Sequence, residues 1–179
     1  MQTSSVFHLI SNLTQQEGVP CVLIGGFAVN YYRVTRSTAD IDFLVTKEGL
    51  AKIAGQLERA GYAKARTDEN FAQFESDQVS LIDIDFVFVD QETLEKIIKE
   101  GQRMIIAGQV FMVPSILHLI ALKLHAVKGD PKNRLLKDFP DIVRLIKTNG
   151  IDHKDPEFRS LCLKYGSQDI YNRIDEALR

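Results

Sequence analysis

The sequence contains little cysteine, with only two residues of this type among 179. Cys21 and Cys162 lie far apart in the chain, and neither belongs to a short spacing of the kind that binds zinc. A cysteine zinc site is therefore not expected. The low count also fits a protein that stays in a reducing compartment.

The sequence also lacks an excess of either charge and lacks any long apolar run. Its 22 basic and 24 acidic residues leave a net charge of -2 and a pI near 6.1. This balance excludes a strongly basic nucleic-acid-binding protein but allows a local basic patch. No stretch has the length of a transmembrane helix, and the first residues lack the basic lead of a signal peptide. We therefore expect a cytoplasmic protein that does not engage a membrane.

What is present is the composition of an ordinary globular protein, with 45% hydrophobic and 26% charged residues. Apolar residues recur at helical spacing after Ser4 or Ser5, over 47–60, over 91–100 and over 114–128. Strand-like segments alternate with these helices, and residues 62 to 76 fit two short strands only weakly. The length is sufficient for one sizeable core.

Asp40 and Asp42 begin an apolar segment with the sequence D-I-D-F-L-V. In a strand, residues two apart point to the same face and rise by about 6.6 Å together. Two short carboxylates placed in this way can share a cation such as Mg²⁺, which takes oxygen ligands at about 2.1 Å. A solvated strand end also explains a lone D-x-D, because the pattern is short and common.

Gly25 and Gly26 stand between a buried strand predicted at residues 22 to 24 and a helix that runs through Phe27. Glycines let the backbone turn tightly and leave N–H groups open at the start of a helix, where phosphate is attracted. A simple strand-to-helix turn explains the glycines equally well. Followed by acids on the next strand, they favour a phosphate cradle beside a metal-binding pair.

A second pair of acids, Asp83 and Asp85, lies on a strand predicted at residues 79 to 89. The two acids alternate with isoleucine and phenylalanine and therefore share one face of that strand. A buried carboxylate without a partner costs several kcal/mol, so the pair indicates either an open edge or a bound cation. A polar strand face is the alternative.

Several charged residues in the C-terminal third allow alternative interpretations. Lys123 lies on the apolar side of its predicted helix, where it either snorkels to the surface or points into a cleft. Asp138 can cap a helix that starts near Pro140, whereas the role of Asp141 is open. A basic cluster faces either solvent or the phosphates of a nucleotide or an RNA; it comprises Lys128, Lys132, Arg134, Lys137, Arg144 and Lys147.

Residues 22 to 45 resemble the first motif of the DNA polymerase beta-like nucleotidyltransferase superfamily, which has two small residues, a helix and then D-x-D on a strand. The form I-G-G-F-A-V followed by R-S-T-A-D-I-D-F-L-V is similar to the bacterial AbiEii-like branch, some of whose members are toxins of type IV toxin-antitoxin pairs. The resemblance implies an α/β (α+β) fold. It comprises a mixed-sheet core over residues 1–113 and a C-terminal helical part over 114–179.

The resemblance also implies a reaction, in which an NMP moves from an NTP to an unidentified acceptor: RNA or tRNA, a protein hydroxyl or a small molecule. Mg²⁺ or Mn²⁺ would be held by Asp40, Asp42 and Asp85, with Asp83 as the alternative third acid. The implied nucleotide contacts are Gly25, Gly26, Lys123 and Arg36 or Arg33. A further family feature, K-D followed by an acid, falls on Asp138 and Asp141.

The implied partners are an NTP, an RNA and a cognate antitoxin. A protein that keeps this fold but only binds a nucleotide or an RNA, without catalysis, is the alternative.

Overall fold

The structure is a computed structural model that describes residues 5–78 and 81–179. These residues form eight helices and seven strands. In chain order they are α1 Val6–Gln16, β1 Val22–Leu23, α2 Gly25–Tyr31, β2 Asp40–Val45, α3 Lys47–Arg59, β3 Ala63–Thr67, β4 Phe71–Glu75, β5 Asp83–Phe88, α4 Gln91–Glu100, β6 Gln102–Ile106, β7 Gln109–Val113, α5 Ile116–Gly129, α6 Pro131–Thr148, α7 Pro156–Tyr165 and α8 Gln168–Ala177.

The chain divides into two compact units. The first unit comprises Met1–Ala28 and Ser37–Ser115, and it contains the sheet together with α1, α3 and α4. The second comprises Val29–Arg36 and Ile116–Arg179, and it contains α5 to α8. Among the described residues, no helix combines the length and the apolar character needed to cross a membrane.

All seven strands belong to one mixed sheet with the order β3-β4-β5-β2-β1-β7-β6. Strand β2 runs parallel to β5, whereas β1 is antiparallel to β2 and parallel to β7. The predicted α/β (α+β) class, a mixed sheet with helices and a helical C-terminal part, is confirmed.

Alternation along β2 and β5 separates an acidic face from an apolar one. Ile41, Phe43, Ile84 and Phe86 are at most 1% exposed, and the rings of Phe43 and Phe86 stack with centroids 6.0 Å apart. Burying a side chain of this size stabilises the fold by about 1.5 to 3 kcal/mol. Since a slip of one residue would bury the aspartates instead, this apolar face fixes the register of both strands.

Several predicted boundaries differ from the structure. Strand β5 starts at Asp83 rather than at residue 79, which lies outside the described residues, and Ile82 is 38% exposed. The two strands weakly predicted over 62–76 are present as β3 and β4. Ser5 is the N-cap of α1 but its side chain makes no capping hydrogen bond, while Ser4 is outside the described part.

Helix α6 starts earlier than the sequence pattern predicted. Its N-cap is Asp130, whose side chain accepts a hydrogen bond from the Asn133 N–H, and the helix continues through Pro140. The prediction that Asp138 caps a helix is therefore wrong. A proline inside a helix costs about 3 kcal/mol. Ile142 and Leu145, which follow Pro140, are buried on one face of α6, and this burial stabilises the helix despite the proline.

Candidate active site

Three carboxylates from neighbouring strands converge in the first unit. Asp40 and Asp42 on β2 and Asp85 on β5 each place one carboxylate oxygen within 4.8 Å of the other two. Asp42 and Asp85 are partners in the parallel register, and Asp40 precedes Asp42 by two residues on the same face. All three side chains are partly exposed, so an ion and a ligand have access to them.

The donor set of this triad suits a hard divalent cation. Carboxylate oxygens are the ligands that Mg²⁺ and Mn²⁺ prefer. Three anionic groups at this separation repel one another, and a divalent charge between them removes that repulsion. Asp40, Asp42 and Asp85 are therefore the residues that would hold Mg²⁺ or Mn²⁺.

Asp83 shares a strand with Asp85 but is not part of the triad. Its Oδ1 accepts a hydrogen bond of 3.4 Å from the Ser76 N–H. Burial, and then the nearby charge of Asp83, raise the pKa of the Tyr62 phenol to about 12. Of the two acids that the sequence left open, Asp85 has a carboxylate oxygen within 4.8 Å of those of Asp40 and Asp42, whereas the side chain of Asp83, the register partner of Asp40, lies beside Ser76 and Tyr62.

Gly25 lies directly against the carboxylate of Asp42. Helix α2 begins at this glycine, which has a φ of 61°, and a Cβ added there would overlap the Oδ2 and Cγ atoms of Asp42. The preceding residue, Ile24, donates its N–H to the Asp42 carbonyl at 2.9 Å and so ties the turn to β2. Glycine is therefore required here for its backbone conformation and for the space it leaves.

Thr38 is a site residue that the sequence analysis did not single out. Its hydroxyl lies 3.0 Å from the carbonyl oxygen of Asp40 and 3.1 Å from its Oδ1, so the donated hydrogen bond restrains that carboxylate. A Cβ on Gly26 would lie 2.6 Å from Thr38 Oγ1, so Gly26 makes room for this contact. A hydroxyl two residues before an acid is a local pattern that could have indicated it.

A substitution of Gly25 separates its effect on the site from its effect on the backbone. We expect Gly25→Ala to weaken Mn²⁺ binding by about 10-fold to 100-fold, the range for disturbed supports of metal ligands, because the new methyl group must displace Asp42. Gly18→Ala is the matched control, since Gly18 has a φ of 60° and nothing within 4 Å of an added Cβ. Equal Mn²⁺ affinities in a calorimetric titration of the two variants would contradict this account.

The predicted nucleotide contacts Lys123 and Arg36 are ion-paired within the second unit. Lys123 Nζ lies 2.7 Å from Asp138 Oδ1 and 2.8 Å from Asp141 Oδ2, and Arg36 Nη1 lies 2.7 Å from the same Asp141 oxygen. The Lys123 side chain is only 7% exposed, so the interpretation that it snorkels to the surface is wrong. These cations stabilise two buried carboxylates that would otherwise lack compensation.

The segment that carries Arg36 is closed by a reciprocal pair of hydrogen bonds. Asn30 Oδ1 accepts from the Arg36 N–H at 2.9 Å, and Asn30 Nδ2 donates to the Arg36 carbonyl at 3.1 Å. Within this segment Arg33 is exposed and has a φ of 63°, shortly after the end of α2. Its N–H donates to the Asn30 carbonyl at 3.0 Å, so its backbone helps to terminate the helix.

This chain belongs to a nucleotidyltransferase family, the one described as "Uncharacterised nucleotidyltransferase", which matches residues 2–174. It is therefore a nucleotidyltransferase by family membership. No curated protein matches the chain.

Solved structures of nucleotidyltransferases share the fold at low sequence identity. ANT(2'')-Ia in complex with adenylyl-2''-tobramycin is 16% identical with a TM-score of 0.63, over 89% of this chain and 94% of that one. The lincomycin-bound lincosamide antibiotic adenylyltransferase LnuA is 13% identical with a TM-score of 0.55, over 83% and 98%. A putative nucleotidyltransferase from Thermotoga maritima is 16% identical with a TM-score of 0.54, over 74% and 89%.

Proposed function

We propose that this chain transfers an NMP from an NTP to a hydroxyl group of an acceptor, with Mg²⁺ or Mn²⁺ at Asp40, Asp42 and Asp85. The observation that carries the proposal is the convergence of these carboxylates within 4.8 Å, with Asp42 against Gly25. One similar structure is named an adenylyltransferase and another holds an adenylylated antibiotic. Both support a nucleotidyl group as the group that is transferred.

The site residues of the first unit have distinct roles in the proposed reaction. In this in-line displacement the acceptor oxygen bonds to the α-phosphorus, the bond to the β-phosphate breaks, pyrophosphate leaves and the hydroxyl proton passes to solvent. Bound divalent ions would stabilise charge on the attacking and leaving oxygens. Asp40, Asp42 and Asp85 bind and orient those ions, and Thr38 restrains the Asp40 carboxylate through its hydroxyl. We also propose that Gly25 and Gly26 leave the backbone at the start of α2 open to the phosphates of the NTP.

Contact between the nucleotide and the cations of the second unit has less structural support. Lys123 and Arg36 neutralise buried carboxylates of Asp138 and Asp141, so contact with phosphate would require them to share their charge. We keep their contact with the triphosphate, and that of the exposed Arg33, as secondary parts of the proposal. We also keep, as part of the proposal, the division into a core over 1–113 and a helical part over 114–179.

Two aspartates of one strand provide the test. The protein is incubated with each α-labelled NTP, Mg²⁺ and candidate acceptors, and Asp85→Asn is compared with Asp83→Asn. We expect Asp85→Asn to lower transfer by at least about 100-fold, since one carboxylate of the triad is lost. Asp83→Asn removes the same charge from the same strand outside the triad and should retain most of the activity.

Two outcomes would contradict the proposal. Equal losses in both variants would show that the triad is not the site of the reaction. NTP binding by calorimetry without any transfer or turnover would instead favour a nucleotide-binding or RNA-binding protein that keeps the fold without catalysis.

The identity of the acceptor and the relationship to the AbiEii-like toxins are separate parts of the proposal. RNA or tRNA, proteins with free hydroxyls and aminoglycosides are the acceptors to be compared. The I-G-G-F-A-V and D-I-D segments support a relationship to the AbiEii-like toxins, and with it a cytoplasmic toxin neutralised by a cognate antitoxin. If the chain is such a toxin, expression of the wild type in bacterial cells should arrest growth, and expression of Asp42→Asn should not. Normal growth with both proteins would count against a toxin.

A further inference from the structure

Charge is distributed unequally between the two units of the chain. The second unit has 14 lysines and arginines against nine aspartates and glutamates, which gives a net charge of +5. The first unit has eight basic and 15 acidic residues, which gives -7. The overall charge of -2 therefore conceals a cationic unit, and nucleic-acid binding must be judged on that unit alone.

Helix α6 concentrates this positive charge because its acids are buried. Asp138 and Asp141 are the only acids in Pro131–Thr148, and they are 4% and 3% exposed. Both are bound by Lys123, Asp141 is also bound by Arg36, and Asp138 also pairs at 3.6 Å with Arg134 of the same helix. The basic residues of the helix are all exposed instead: Lys132, Arg134, Lys137, Arg144 and Lys147. Every exposed charge of α6 is thus positive.

The exposed cations are arranged along the helix axis. Lys137 and Arg144 are seven residues apart, which places them on nearly the same side about 10 Å from each other, and Lys147 follows one turn later. From Lys137 to Lys147 the helix rises by about 15 Å, so these three cations can contact successive phosphates of one strand.

We propose that the exposed face of α6 binds the phosphate backbone of an RNA, and that RNA is the acceptor class of this enzyme. A phosphate backbone fits a linear row of cations, and the same polymer carries hydroxyl groups that can receive an NMP. A lipid surface fits less well, because membrane-binding helices expose a continuous apolar face. In α6, Ile142, Leu145 and Ile146 are at most 2% exposed, and Leu136 stands alone as an exposed large apolar residue. The assignment of RNA as acceptor rests on the proposed function; RNA binding by α6 does not.

The test measures RNA binding without NTP or metal, so that catalysis plays no part. A fluorescein-labelled single-stranded RNA of about 20 nucleotides is titrated by anisotropy at several salt concentrations. The variant Lys137→Gln/Arg144→Gln/Lys147→Gln is compared with Lys52→Gln/Lys96→Gln/Lys99→Gln. The control changes the net charge equally through exposed lysines of α3 and α4 in the first unit.

We expect the α6 variant to bind RNA at least about 10-fold more weakly near 0.1 M salt and to reduce the salt slope by about 2, the value for three lost contacts to a single strand. The control variant should bind like the wild type. Unchanged affinity in the α6 variant, an equal loss in the control, or no RNA binding by the wild type would overturn the inference. Equal binding of polyglutamate or of phosphatidylserine vesicles would also overturn it, in favour of an acidic protein or a lipid surface.

Failure of this inference is distinguishable from failure of the proposed function. RNA binding is measured without NTP or metal, so the binding assay and the transfer assay can fail independently of each other. Loss of RNA binding with NTP turnover intact would overturn only the RNA surface. The opposite result, RNA binding without any Asp42-dependent transfer to any acceptor, would overturn the reaction.

Discussion

Replacing Lys123 with methionine is expected to lower the free energy of unfolding by about 3 to 5 kcal/mol, the range for removing one partner of a buried ion pair. Lys123 Nζ lies 2.7 Å from Asp138 and 2.8 Å from Asp141, whose side chains are 5% and 4% exposed. Methionine keeps most of the buried volume but no charge. Asp138 and Asp141 would then remain buried and would depend on arginine side chains for compensation.

Lys128→Met is the matched control for this prediction. Lys128 lies in the last turn of the same helix, α5, and is exposed, so its loss should change the unfolding free energy by less than about 0.5 kcal/mol. Adding Asp138→Asn to Lys123→Met should restore part of the loss, since one unpaired carboxylate is removed. Urea unfolding measures all three variants; equal midpoints for Lys123→Met and Lys128→Met would contradict a stabilising buried network.

The convergence of the acids could be predicted because it follows from local patterns. Alternation along the strands puts Asp40 and Asp42 on one face, and Asp83 and Asp85 on one face, without any knowledge of the fold. The parallel pairing of β2 with β5 then sets these faces side by side. Which of Asp83 and Asp85 lies beside the acids of β2 needed coordinates: Asp85 is grouped with Asp40 and Asp42, whereas Asp83 accepts a hydrogen bond from Ser76.

The charged network of the second unit could not be predicted in the same way. Arg36 and Asp141 are 105 residues apart in sequence, and no local period links two such positions. By helix propensity alone, Pro140 indicated a helix start. The helix instead continues through Pro140, because burial of one helix face stabilises it, and that tertiary contribution is absent from propensity. The family resemblance assigned Lys123 and Arg36 to the nucleotide, and the structure pairs both with acids; their contact with the nucleotide stays a prediction.

The largest expected effect on the site is that of Asp42→Asn. This side chain contacts Gly25 and lies close to the two other carboxylates, and asparagine keeps its shape but removes its charge. We expect the substitution to weaken divalent metal binding by at least about 100-fold, more than the loss of a supporting contact would. Nucleotidyl transfer should fall with it, since charge stabilisation by the metal supplies several kcal/mol. The fold should survive, because the side chain is partly exposed.

A titration with Mn²⁺, followed by the electron paramagnetic resonance signal of the free ion, tests the triad most directly. The wild type and Asp83→Asn should bind Mn²⁺ with similar affinity, whereas Asp40→Asn, Asp42→Asn and Asp85→Asn should each lose that binding. If the wild type fails to bind Mn²⁺, or if Asp83→Asn loses binding as fully as the three triad variants, the acids of β2 and β5 are not a metal site.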